Sequence, residues 1–246
     1  MNPIQTPTGT APPTSRVASE DTVTGVRRRS ISLGEAAAEF ARWTSPRIIA
    51  ATLLVAIVGR VAAGGWGLAD TVLVLALLAA QPFVEWTTHV FLLHLRPLEV
   101  GGRTFDPIFA RKHRDHHADP RDTSLVFIPV RVLLGLLVGV GLVGLVAVPA
   151  LGFAATTGWT YVLTMATVGM VYEWTHHLIH TDYRPRTRAY RALWRHHRLH
   201  HFKNEHYWFA ISNPVADRVL GTNPDPGSVE TSPTVTNLLG RERAEA

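Results

Sequence analysis

Arg111-Lys-His-Arg-Asp-His-His117 and Arg195-His-His-Arg-Leu-His-His201 decide how this chain is read. Both follow the pattern Arg-x-His-Arg-x-His-His. Each is preceded by a second echo, Glu85-Trp-Thr-Thr-His89 and Glu173-Trp-Thr-His176. A histidine-rich unit is therefore built twice. Imidazole is neutral near pH 7, binds transition metals well and is at home beside apolar helices. Two matched sets predict two metal ions.

The rest of the 246 residues sets limits. There is no cysteine, which removes disulfides, cysteine-held iron–sulfur clusters and cysteine-based zinc sites. All 13 histidines lie between positions 89 and 206. The net charge of +5 would point to nucleic acid in a soluble protein. Here its distribution follows apolar segments instead, and no nucleic-acid partner is expected. Residues 1–31, rich in Pro, Thr and Ser, read as a disordered tail, and 223–246 as a flexible one. Ser32-Leu-Gly-Glu35 has the form of a capping box opening a short helix over 32–45, expected to lie on the membrane surface.

Four apolar runs follow, at about 46–63, 68–94, 125–151 and 153–180, against a need for roughly 20 residues per span. The expected fold class is an all-α integral membrane protein with four transmembrane helices and a cytosolic helical cap, together forming one domain over 46–222. Arginines 27, 28, 29, 42 and 47 precede the first run. Arg96, Arg103, Arg111, Lys112, Arg114 and Arg121 fill the middle segment, and a further series follows Trp174. The links at 64–67 and 151–153 carry no charge. Basic residues mark the cytoplasmic side, so both termini, the middle segment and every histidine are expected there. Arg60 and Arg131, near span ends, are expected to snorkel.

On a helix, positions i, i+3 and i+4 share a face. His113, His116 and His117 fit this, as do His197, His200 and His201, while His176 and His180 are i, i+4. His89 and His94 are i, i+5, about 140° apart on an ideal helix. That pair requires a π-bulge, or two metals held from different sides. Ten ligands suit two ions of five each. His196 aligns with Lys112, His206 has no counterpart, and His177 competes with His176 because it follows Glu173 by four residues, as His89 follows Glu85. Glu85 and Glu173, and more weakly Asp115 and Asp182, are candidate acceptors for the ligands' second N–H. Trp86, Trp174, Trp194, Tyr207 and Trp208 are candidates for a pocket wall or an interfacial belt.

At these residues the chain resembles the fatty acid hydroxylase/sterol desaturase superfamily of integral membrane di-iron enzymes. That signature, H-x4-H, H-x2-H-H, H-x3-H, H-x2-H-H, reads here as His89–His94, His113–His116–His117, His176–His180 and His197–His200–His201. It favours His176 over His177. The stretch from Ala216-Asp217 to Gly221-Thr222 is similar to the family's ending, with Ala216 and Leu220 where aromatics usually stand.

The resemblance implies two iron ions, with zinc a possible substitute on purification. It also implies O2-dependent hydroxylation or desaturation at an apolar C–H bond of a fatty acyl or sterol lipid. Electrons would come from a separate carrier, cytochrome b5-like or a ferredoxin with its reductase, since no haem or flavin domain is visible. Carotenoid ring hydroxylation is the alternative within the class. A membrane metal transporter is the alternative outside it, but transporters place ligands at mid-bilayer. A zinc hydrolase needs only three protein ligands and a water.

Overall fold

A computed structural model of the chain describes residues 30–240. The stretches 1–29 and 241–246, parts of the two expected tails, lie outside the described residues. The helical elements are α1 (Leu33–Phe40), α2 (Thr44–Ala62), α3 (Leu68–Thr87), α4 (Ile108–Ala118), α5 (Val130–Leu142), α6 (Ala155–His180), α7 (Arg188–Phe202) and the short α8 (Val215–Val219). π-Helical turns extend α3 over Thr88–Leu93 and α5 over Val143–Ala147. The expectation of an all-helical chain misses one hairpin. Strands β1 (Leu98–Val100) and β2 (Arg103–Phe105) pair antiparallel, pairing Val100 with Arg103 across a turn of Gly101 and Gly102, both at positive φ.

α1 starts where its capping box requires. Ser32 accepts from the Glu35 N–H, and the Glu35 carboxylate accepts from the Ser32 N–H. Its Ala36 is fully buried, and Phe40 packs edge-on against Trp174 of α6.

Three helical segments are long and apolar enough to cross a membrane: Thr44–Ala62, Leu68–Leu93 and Thr123–Ala150. The expected fourth, α6, has 26 residues but not the composition. It is the central helix, packed against α2, α3 and α5. A helix that faces protein rather than lipid does not need an apolar surface all round. Thr157, Thr160 and Thr164 are buried on it. The Thr164 hydroxyl donates back to the Thr160 carbonyl, which keeps this polar group satisfied away from water. Where α6 meets the π-turn of α5, a Cβ on Gly158 would collide with the Gly144 carbonyl oxygen. Two glycines there let the backbones touch.

Arg60 does not snorkel. Its Nε donates to Thr160 Oγ1 at 2.8 Å, and its terminal nitrogens donate to the Gly64 and Gly65 carbonyls. Thr160 in turn donates to Asp70 Oδ1 at 2.7 Å, and Asp70 lies 3.8 Å from the guanidinium. The network ties α2, α3 and α6 together at the end of the bundle away from the histidines. Asp70→Ala leaves a buried cation without its counter-charge. It is expected to cost about 3 kcal/mol or more, read as a lowered thermal midpoint in detergent, with the Arg60→Met/Asp70→Ala double variant recovering part of it.

Candidate metal centre

The four histidine boxes sit where helices end beside one another. His89 and His94 bracket the π-turn of α3, and the His94 N–H donates to the His89 carbonyl at 3.2 Å. This i, i+5 bond is the bulge that the spacing predicts, and it brings the two rings to centroids 5.1 Å apart. His113, His116 and His117 end α4, His176 and His180 end α6, and His197, His200 and His201 end α7.

The ten rings form two groups of five. One contains His89, His94, His113, His117 and His200; the other contains His116, His176, His180, His197 and His201. Within each group one nitrogen per ring lies within 4.8 Å of all the others. The groups adjoin, with the His117 and His201 rings 4.3 Å apart. They do not follow the halves of the sequence. The i, i+4 pair of α4 joins the first group while His116, between them, crosses to the second. The i, i+4 pair of α7 joins the second while His200 crosses to the first.

Ring orientation is set by backbone carbonyls. The Nδ1–H of His89 donates to the Phe209 carbonyl at 2.6 Å, that of His200 to Tyr207 at 2.9 Å, and that of His117 to Val235 at 3.1 Å. In the second group His176 donates to Val126 at 3.0 Å and His180 to Pro120 at 2.8 Å. A neutral imidazole that donates from Nδ1 has only a lone pair at Nε2. His117 and His200 therefore face each other across 3.1 Å with a lone pair on each Nε2. Two lone pairs at that distance repel unless a cation lies between them. The Nε2 atoms of His94, His116, His176 and His180 are buried without a hydrogen-bond partner. Buried polar atoms are seldom left unpaired, so this donor set fits metal ions.

Electrostatics agree. Burial, reinforced by neighbouring imidazoles, pushes His94, His113, His116, His197, His200 and His201 well below the ordinary histidine range, and takes His117 down to about 3. All are neutral at pH 7, as metal ligands must be.

Glu85 and Glu173 do not accept from the rings, as was expected of them; they act one step further back. Glu85 Oε1 accepts the N–H groups of Ile211 and Ser212 at 2.5 and 2.9 Å, and Oε2 takes the Ser212 hydroxyl. This clamps the loop that presents the Phe209 carbonyl to His89. Glu173 accepts the Ile128 N–H at 3.0 Å, two residues beyond the Val126 carbonyl that faces His176. Asp115 is half exposed and pairs with Lys112 at 3.4 Å. Asp182 lies beside His180 in a small polar cavity, but the His180 Nδ1–H is taken by Pro120.

Two clamps escaped sequence reasoning. Asp217 is fully buried and accepts the N–H groups of Phe209 and Ala210 at 3.1 and 2.8 Å and the Nε2 of His196 at 2.9 Å. Its place in the Ala216–Thr222 motif was the available signal. Glu205 holds the hydroxyls of Ser232 and Thr234, which positions Val235 for His117. Residues 223–240 thus fold back onto the site rather than trailing as a flexible tail. The three remaining histidines stand outside both groups. His196 pairs with Asp217, His177 faces the Ala36 carbonyl at 3.2 Å, and His206 is exposed.

One group opens on an apolar cavity of about 660 Å³. His89, His113, Glu85 and Lys112 line its head, and Leu136, Val140 and Tyr161 its far end. None of the tryptophans considered from sequence lines it, nor do Ala216 and Leu220.

A profile of the fatty acid hydroxylase family matches residues 74–222, which span every ring in the two groups. The chain belongs to this family. It is also similar to dihydroceramide fatty acyl 2-hydroxylase FAH2 of Arabidopsis thaliana, at 29% identity over 142 residues. That alignment covers 57% of this chain and 56% of the plant protein, so the chain spans little more than half of its relative. No solved structure matches. The matched segment carries both histidine groups, and three helical segments beside it are long and apolar enough to cross a membrane.

Two expectations follow. His200→Ala removes a ring from the first group and should lower bound metal by about half with the fold retained, as read by elemental analysis of purified protein; His206→Ala should leave metal content unchanged. The second concerns acid. The unfolded chain takes up protons near pH 6.5, and the folded metal-free site only far below that. The unfolded state therefore binds more protons as pH falls. Stability from these rings is complete above about pH 6.5 and is lost as pH drops toward 3. The thermal midpoint of the metal-free protein should fall steadily from pH 7 to pH 4.

Proposed function

We propose that the chain is an O2-dependent di-iron hydroxylase of fatty acyl chains. The carrying observation is two adjoining five-imidazole groups at the head of a deep apolar cavity. His89, His94, His113, His117 and His200 would hold one iron, and His116, His176, His180, His197 and His201 the other. Five nitrogen donors exceed the four protein ligands of a closed structural zinc site. The metals would supply the oxygen activation and hydrogen-atom abstraction that no side chain provides.

The protein's own part is binding, orientation and exclusion of water. The cavity runs along α5 from Pro129 to Val140, about 16 Å of helix. That is close to one leaflet of a hydrocarbon core about 30 Å thick, so an acyl chain from a single leaflet fits its length. α6 backs the cavity, while α3 and α5 on either side hardly touch each other. Cavity-lining Val84 and Leu136 are exposed on those two helices. A lipid tail would pass in sideways between them. Gln81, Glu85, Thr88 and Lys112, the polar groups near the head, would receive the lipid's polar end. The relative's 2-hydroxylase name favours oxidation close to that end, and hydroxylation over desaturation.

Sidedness and span number belong to the same reading. At 26 residues α6 is about 39 Å long, enough to cross the bilayer as a fourth span sheltered by the other three. The basic segments around α4 and α7 would put the irons and both termini on the cytoplasmic side. A separate carrier, cytochrome b5-like or a ferredoxin, would deliver electrons there.

Lipid mass spectrometry on cells with and without the gene tests this. A gain of one oxygen atom on an acyl-containing lipid class is expected, and it should disappear with His116→Ala. Loss of two hydrogens instead would assign a desaturase. Oxidation confined to a ring lipid with no acyl chain would overturn the acyl assignment.

A further inference from the structure

The side of α6 that faces the cavity carries Tyr161, Met165, Val168, Gly169 and Tyr172 at helical spacing. Four of these present medium or large side chains. Gly169 does not, and it is the one glycine lining the cavity among the described residues. A Cβ built on it meets no heavy atom within 4 Å. Its helical backbone needs no glycine, since its φ is not positive. Membrane-spanning helices carry glycine readily, and the local effect of this one is to leave space. Ala166, three residues earlier, also lines the cavity, so the wall is thinnest at this height.

We propose that Gly169 sets the length of acyl chain the enzyme accepts. This rests on the acyl-chain reading above. Gly169 lies one turn from Tyr172, at the head of the cavity, and eight residues from Tyr161, at its far end. Those eight residues are about 12 Å of helix. A chain whose polar end sits at Lys112 and Glu85 must pass Gly169 to fill the space between Leu136, Val140 and Tyr161. A side chain at 169 projects into that passage and closes the lower part while leaving the head open. A Cβ at 169 would reach no histidine within 4 Å, so metal binding is expected to be unaffected.

The test uses the full chain, expressed in a host supplied with saturated fatty acids of graded length, as wild type and as Gly169→Ala, Gly169→Val and Gly169→Leu. Hydroxylated products are measured by chain length, and bound metal by elemental analysis. The ratio of short-chain to long-chain product should rise along the series, by about tenfold or more at Leu, since even one methylene in a pocket is worth about that much discrimination. Metal content should stay constant. If Leu fails to fold, seen as lost metal, the Ala and Val variants carry the comparison. An unchanged ratio in active variants, or an equal fall at every length, overturns the role of Gly169 and leaves the acyl reading intact. Absence of any hydroxylated acyl product from wild type would instead remove that reading, and this inference with it.

Discussion

A ring N–H donated to a backbone carbonyl is the interaction on which this site depends. Neutral imidazole has two tautomers, and only one offers its lone pair at the nitrogen facing inward. Five of the ten rings have that choice made by the carbonyls of Pro120, Val126, Tyr207, Phe209 and Val235. Without these bonds the rings would rotate or exchange tautomers, and the lone pairs of His117 and His200 would not be held 3.1 Å apart. The arrangement stores electrostatic repulsion that a cation relieves. It also explains why segments without any ligand, such as 120–128 and 207–212, are folded tightly against the cluster.

The carboxylates act at one remove. Glu85, Asp217, Glu173 and Glu205 each grip the backbone or hydroxyls of a segment whose carbonyl meets a ring. A carboxylate in direct contact with a ring would pull a proton toward itself and alter the charge of the metal site. A carbonyl orients the ring while remaining neutral. The two echoes in the sequence show the same device built twice. Glu85 precedes His89 and fixes the loop that meets it, and Glu173 precedes His176 and fixes the loop that meets that. The duplication stops at the two ring groups, where each half lends one ring to the other.

The bundle beneath serves the same end. A buried Arg60–Thr160–Asp70 network fastens α2, α3 and α6 at the far end, and glycine contacts seat α5 on α6. Between these fixed points α3 and α5 stay apart, and the cavity lies in the gap. Polar fastening at one end and imidazoles at the other leave an apolar corridor lined, among the described residues, by one glycine, Gly169.

Spacing alone determined much of this. The i, i+4 pairs of α4 and α7, the i, i+5 pair with its bulge and the capped helix at Ser32 follow from the geometry of one helix, because residues a turn apart share a face. Apolar length likewise marked four runs, three of which are helical segments long and apolar enough to cross a membrane. Other features were not legible because they depend on partners far away in the chain. That α6 is sheltered follows from its neighbours, which is why its threonines are tolerated. Arg60 turns inward because Asp70 and Thr160 are there to meet it. His177 and His176 are both at home on a helix end, and helical spacing does not separate them as the positions of Ala36 and Val126 do. Backbone carbonyls carry no residue signature at all, so Val235, in a segment that read as a tail, could be found only in three dimensions. The sequence supplied the histidines and their local spacing; tertiary contacts decided which ring joins which group, because that choice is made between helices rather than along one.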